Sequence, residues 1–269
     1  MLACKDSTFQ QHLTLVNEAN ISEFSLHLGM IGEVYDGTDV KWAYTGGLGM
    51  NRILDARFSD EDAEDRISEL LEMFRLKGVK PHWITGPSTT PSDITERLER
   101  RGYHKIEWSG MAADLNDLPD SIAMPEGLEV REITDPSLIQ PFMNVLCTGF
   151  GWPTVIHEPL CNLFTTLGVQ NVIPWRHYIG YLYGVPASTC TIYEGSGALG
   201  VYLVSVMPGA RRQGVGLATT WCALHDAKNM DHRVAVLQAS PMGKGVYEKI
   251  GFEEHCKMAL FAPNSPVCD

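Results

Sequence analysis

From Val206 to Gly216 the chain reads Val206-Met207-Pro208-Gly209-Ala210-Arg211-Arg212-Gln213-Gly214-Val215-Gly216, a β-branched strand running into an Arg/Gly loop that opens a helix. With the helix that follows and the strand after it, a β-α-β crossover is expected here, with the loop at that crossover. The same loop has a chemistry. Gly214 and Gly216 have no Cβ to block close approach, and the loop amides gather at a helix N-terminus, where the helix dipole favours an anion. Arg211 and Arg212 add cationic donors beside it.

The pattern around this unit divides the chain in two. In the first half, strands are expected over 40–45 and 52–58, then a helix over 61–77. Its apolar positions Ile67, Leu70, Leu71 and Phe74 fall at i, i+3, i+4 and i+7. A strand at 82–85, a helix near 92–101 and a strand at 105–114 follow. Pro119, Pro125 and several acidic residues between Asn116 and Gly127 interrupt the pattern and mark a boundary. In the second half a strand at 128–133 precedes helices over 138–149 and 156–167. Strands at 176–182, 187–193 and 200–206 form a meander with turns at Tyr183-Gly184 and Gly195 to Gly197. The crossover helix then runs to about Asn229, followed by a strand at 234–238, a helix at 243–250 and a strand at 255–261.

The chain has 269 residues and a formal net charge of -12, which disfavours nucleic acid and anionic membranes as partners. The charge is uneven: up to Asp120 there are 12 basic and 21 acidic residues, afterwards 9 and 12. A phosphate-bearing ligand therefore belongs with the second half. Seven cysteines without CxxC pairs argue against a disulfide framework and for a reducing, cytoplasmic setting. Leu2-Ala3-Cys4 is not preceded by a basic, apolar leader, and no apolar run approaches the ~20 residues of a membrane span.

Two rival readings of the glycine loop fail. A dinucleotide fingerprint needs a small residue where Thr219 stands and an acidic residue about 20 positions on, where Val236-Leu237-Gln238 is found. A P-loop needs Lys-Ser or Lys-Thr after its last glycine. A second cluster, Gln238-Ala239-Ser240-Pro241-Met242-Gly243-Lys244-Gly245-Val246-Tyr247-Glu248-Lys249-Ile250-Gly251-Phe252, stands downstream of the loop. Together with Arg211-x-x-Gly214-x-Gly216 it closely resembles the two core motifs of the GNAT superfamily of acyltransferases, over about fifty residues. A motif-free half followed by a motif-bearing half resembles the tandem GNAT proteins, the arrangement of mycothiol synthase.

The resemblance implies an α+β tandem GNAT fold, each half a mixed, mainly antiparallel sheet flanked by helices. Residues 1–118 would be a degenerate GNAT-like domain, 119–127 a linker and 128–269 an acetyltransferase domain. Acetyl-CoA would be held by Arg211, Arg212, Gln213, Gly214, Val215 and Gly216 at its pyrophosphate and by Val204 and Val206 along pantetheine. Ser240 stands where many members have a cofactor-contacting Asn. An amide near Val206 would hold the oxyanion, and Tyr247 would give a proton to the departing thiolate. With an unperturbed pKa of about 10, a phenol can donate to a thiolate whose conjugate acid lies near 8.5. The packing alternative for Tyr247 is a ring resting on the sheet.

The implied function is transfer of an acetyl group to a primary amine, a small molecule, by direct attack, since neither motif holds a cysteine. The alternative is a non-catalytic acyl-CoA-binding or sensing module. Glu158, Glu194 and Tyr202 are candidate bases by location, and Phe150, Trp152 and Trp175 candidate walls of the acceptor cleft. Cys222-x-x-His225 has no second pair to make a zinc site, so no metal is expected. His157 and His177 lack triad partners, and no G-x-S-x-G elbow exists. The stretch Ser59-Asp60-Glu61-Asp62-Ala63-Glu64-Asp65, where the first half would need its own glycine loop, contains no glycine. Its acidic residues satisfy the helix dipole themselves.

Overall fold

A computed structural model describes residues 7–169, 173–228 and 230–264. The first half comprises α1 (Ser7–Gly29), β1 (Glu33–Asp36), β2 (Lys41–Tyr44), β3 (Arg52–Leu54), α2 (Ala63–Leu76), β4 (His82–Thr85), α3 (Ile94–Glu99) and β5 (Tyr103–Asp114). The second comprises β6 (Leu128–Glu132), α4 (Ile139–Phe150), α5 (His157–Val169), β7 (Trp175–Leu182), β8 (Val185–Gly195) and β9 (Ala198–Val206). It continues with α6 (Val215–Ala227), β10 (Val234–Ala239), α7 (Lys244–Glu248) and β11 (Glu253–Pro263). The meander turns fall where Tyr183 and Gly184 (φ 50° and 78°) and Ser196 and Gly197 (φ 50° and 75°) supply paired positive φ values, as tight hairpins require. The predicted helix end at Asn229 lies outside the described residues.

The architecture is α+β, with a mixed, mostly antiparallel sheet flanked by seven α-helices among the described residues. All eleven strands join one sheet in the order β1-β2-β3-β4-β11-β5-β10-β9-β8-β7-β6. Only β3 with β4 and β9 with β10 pair in parallel. Exchanging β1 for β7, β2 for β8, β3 for β9, β4 for β10 and β5 for β11 reproduces the order from the other edge, so the halves are related by a pseudo-twofold. Their last strands are swapped. β11 lies between β4 and β5, and β5 between β11 and β10, so each half completes its sheet with a strand from the other. The hydrogen-bonded sheet runs from one half to the other without interruption.

Alternation along β5 sorts the layers. Tyr103 packs with α2 and α3 residues Ile67, Phe74 and Leu98, and Met111 and Ala113 pack with α6 residues Ala223 and Leu224. Trp108 faces the opposite side, where Phe24 of α1, Phe142 of α4 and Phe164 of α5 form a third core. In α2 the predicted positions Ile67, Leu70 and Phe74 are buried, and the chain leaves the helix at Gly78, whose φ of 74° a side chain would oppose.

Helix α1 and strand β1 have no counterpart in the periodicity reading. Leu13, Ile21, Phe24 and Leu28 share one face of α1, but Asn17, Glu18, Asn20, Ser22 and Ser25 are buried with them, so the helix shows no polar outer face against an apolar inner one. The buried asparagines are fully used. Asn17 Nδ2 donates to the carbonyls of Met111 (2.9 Å) and Leu237 (3.2 Å), and its oxygen accepts from Gln238 Nε2 at 2.7 Å. Asn20 Nδ2 donates to Gly195 O (2.6 Å) and Ala198 O (3.3 Å), and its oxygen accepts from Tyr202 Oη at 2.5 Å. A first-half helix is thereby pinned to second-half strands. Asn20→Ala leaves these buried groups unpartnered and is expected to cost about 2 kcal/mol. The reading is a lower urea midpoint at unchanged slope; an unchanged midpoint would show that the bonds contribute nothing net.

Candidate active site

The site begins where two parallel strands part. β9 and β10 are in register only at Leu199 with Ala235 and Gly200 with Val236, although β9 continues to Val206 and β10 to Ala239. Beyond Gly200 the strands therefore diverge and leave backbone facing a gap. On its other side β9 is bulged against β8: Leu203 and Val204 oppose the single residue Cys190, and Leu203 takes φ 51°, a costly conformation for a branched side chain. Past the bulge the phase of the ladder decides which groups are free. Met207 N–H bonds to Ala187 O at 2.8 Å, which makes Ser188 and Val206 a non-hydrogen-bonded pair. The N–H and C=O of Val206 consequently point away from β8, into the gap.

Gly214 caps α6 with φ 79°, and Arg212 beside it has φ 60°. Among the described residues, the six consecutive amides from Arg212 to Leu217 reach no hydrogen-bond acceptor, while Ala218 N–H is the first to bond back, to Gly214 O at 2.9 Å. Open donors of this kind at a helix N-terminus form an anion cradle. A Cβ at Gly216 would stand 2.9 Å from Val206 Cγ2, so glycine is what lets α6 start this close to β9. Arg211 differs from expectation: its guanidinium is engaged, with Nε donating to Val206 O (3.2 Å) and Nη2 to Gly149 O (2.7 Å). It ties the end of α4 to the end of β9. Arg212 is exposed.

Tyr247 sits on α7, half-buried, edge-on to Phe252 at 6.0 Å, with the Cys190 thiol near enough to affect its titration. Burial raises its pKa, so the phenol stays protonated throughout the neutral range. Burial likewise pushes the Cys190 thiol up to about 12, far from a thiolate nucleophile. The Ser240 hydroxyl accepts from Gly243 N–H at 3.2 Å and shapes the turn into α7.

The other candidates separate cleanly. Phe150 and Trp152 stack at 5.1 Å just beyond Gly149, with Phe150 47% exposed, beside the Val206 end of the gap. Trp175 instead stacks on Phe164 within the core. Glu158 is exposed at the start of α5. Glu194 pairs with His232 at 2.8 Å, at the hairpin end of β8 remote from Val206. Tyr202 is buried against Phe24 with its hydroxyl given to Asn20, and burial raises its pKa further from any basic role. His177 is buried among Phe142, Phe164 and Trp175, its Nδ1 2.8 Å from Thr191 Oγ1, and burial holds it neutral with a pKa of about 3. His157 meets the Trp152 carbonyl, and His225 lies against Trp221 with the rings tilted by 37°.

The pseudo-twofold gives the first half a matching gap, and a carboxylate fills it. β3 and β4 pair only at Arg52 with His82 and Ile53 with Trp83. Beyond them Glu18 enters from α1: its Oε1 accepts from Ser88 N–H (3.0 Å) and its Oε2 from Ser88 Oγ (2.6 Å). A cavity of about 10 Å³ is left between Glu18, Leu54 and Ile84, too small for a pantetheine arm. At the α2 N-terminus the amide of Asp62 bonds to Ser59 Oγ and that of Ala63 to Ser59 O. Glu64 occupies the first turn and binds Arg97, Arg100 and Arg101. Calorimetric titration with acetyl-CoA is therefore expected to give one site per chain; a second molecule at the Ser59 to Asp65 turn would refute this.

The half-sheets, each with a crossover at a parallel pair, and the swapped last strands constitute a tandem GNAT fold. Solved structures with this fold include a GCN5-related N-acetyltransferase from Kribbella flavida, 14% identical, with a TM-score of 0.67 over 93% of this chain and 97% of that one. Another, from Sphaerobacter thermophilus, is 15% identical, with a TM-score of 0.59 over 83% of this chain and 76% of its own. A tandem GNAT protein from the clavulanic acid biosynthesis pathway is 14% identical, with a TM-score of 0.57 over 97% of both chains. No family model and no curated protein matches the sequence. Among the described residues no helix is long and apolar enough to cross a membrane, and no His, Cys, Asp and Glu cluster could hold a metal.

Proposed function

We propose that the second half, residues 128–269, binds acetyl-CoA and transfers its acetyl group to a primary amine on a small molecule, and that residues 1–118 support it without a cofactor of their own. The observation that carries this reading is the row of six unpartnered amides, Arg212 to Leu217, opening beside the free N–H of Val206. Such donors at a helix N-terminus suit a pyrophosphate.

Bound acetyl-CoA supplies an acyl group activated as a thioester. Val204 and Val206 offer the strand edge along which its amide-bearing arm lies. The Val206 N–H donates to the carbonyl oxygen, where negative charge grows as the amine attacks. A fixed donor stabilises that charge without reorganising, an effect worth about 3 kcal/mol in comparable sites. Tyr247 donates to the leaving sulfur. Cys190 stays a thiol, so attack is direct. The Phe150 and Trp152 stack would form one wall of the acceptor cleft.

Incubating the protein with acetyl-CoA and a panel of primary amines, and following thiol release, tests the reading. Turnover dependent on one amine class is expected. Tight binding of acetyl-CoA with no turnover across the panel would favour the sensing module instead.

A further inference from the structure

The β1–β2 turn, the segment after β3 and one side of α1 enclose a cavity of about 460 Å³ that the transfer reaction does not use. This is within the range that holds small ligands. Its lining carries both signs of charge: Glu18, Asp36 and Asp55 against Lys41 and Arg57, with Leu15 and Ala19 along one side. Lys41 Nζ is already shared between Asp36 (3.1 Å) and Asp55 (3.6 Å). Glu18 is only 8% exposed, and burial raises its pKa against the bonds from Ser88, with the like charge of Asp55 adding to the rise and Arg57 opposing it. Asp55 is held in place with φ 51° and a bond from Ser22 Oγ at 2.9 Å. In contrast, Arg57 is exposed and forms no ion pair among the described residues, its charge acting on Glu18 only at longer range. Leu15, 48% exposed, is an apolar side chain turned to an otherwise charged cleft.

We propose that this cleft is a second ligand site, for a small α-amino acid with an aliphatic side chain. Its ammonium group sits between Glu18 and Asp55, its carboxylate on Arg57, and its side chain on Leu15 and Ala19. The ammonium adds to Lys41 and Arg57 in offsetting the repulsion between the two carboxylates. Each oxygen of Glu18 has a lone pair left after its bond from Ser88. Arg57 distinguishes a zwitterion from a plain cation, because only a ligand with its own carboxylate uses the unpaired guanidinium, in the fork geometry that suits it.

Calorimetry on the full chain without acetyl-CoA tests this with L-leucine as the probe. 3-Methylbutylamine, which lacks the carboxylate, and 4-methylpentanoate, which lacks the ammonium, serve as comparisons. L-leucine is expected to bind, with both comparison compounds at least tenfold weaker. Arg57→Ala and Glu18→Gln should each weaken L-leucine at least tenfold, with folding checked by circular dichroism. Gly214→Asp, in the other half, should leave the affinity unchanged, which separates this site from the acyl-transfer site. No binding of L-leucine, binding indifferent to Arg57→Ala, or amine binding as tight as L-leucine would each overturn the proposal.

Discussion

Replacing Gly214 with aspartate is expected to abolish measurable coenzyme A binding while leaving the fold intact. The substitution puts a carboxylate among six amides that have no other acceptor, so it satisfies the cradle from within and repels the phosphates. Space is available: a Cβ there meets only Pro125 Cγ, at an ordinary 3.6 Å. The φ of 79° costs about 1 kcal/mol for a residue other than glycine, and aspartate is among the side chains that tolerate it best. Circular dichroism should therefore show a folded protein, and calorimetry no saturable heat with coenzyme A. A folded variant with unchanged affinity would remove the loop from the site.

The second large effect concerns Tyr247. Tyr247→Phe keeps the ring against Phe252 and deletes only the hydroxyl, so cofactor affinity should hardly change. The rate with a competent amine should fall about 10²-fold, the lower end for a lost general acid. The lower end is expected because burial raises the phenol's pKa, which makes complete transfer to a thiolate less favourable than donation of a strong hydrogen bond. By the same shift, titration of Tyr247 cannot limit activity below its ordinary value near 10. Full activity in the variant would leave proton delivery to water.

The glycine loop and the succession of strands along the chain were legible because both rest on local signals. Glycine at 214 answers a positive φ, glycine at 216 a close approach to Val206, and alternation along β7 to β9 separates two packed faces. What stayed hidden depends on contacts distant in sequence. α1 buries Asn17, Glu18 and Asn20 against strands of both halves, so its inner face is polar and resembles a loop in composition. The spacing of Leu13, Ile21, Phe24 and Leu28 was the available signal. The exchange of β5 and β11 is invisible to periodicity for a related reason: a strand's pattern shows that one face is buried, not which neighbour it pairs with. The engagement of Arg211 with Gly149 likewise joins residues 62 positions apart.

A crystal structure with acetyl-CoA at saturating concentration shows whether acyl-CoA binds in the second half with its pyrophosphate on the α6 cradle. One molecule per chain is expected, its pyrophosphate against the amides of Arg212 to Leu217, its arm between β9 and β10 and its carbonyl oxygen on Val206 N–H. A molecule bound elsewhere on the chain, or a β9–β10 gap still empty at saturation, would contradict it.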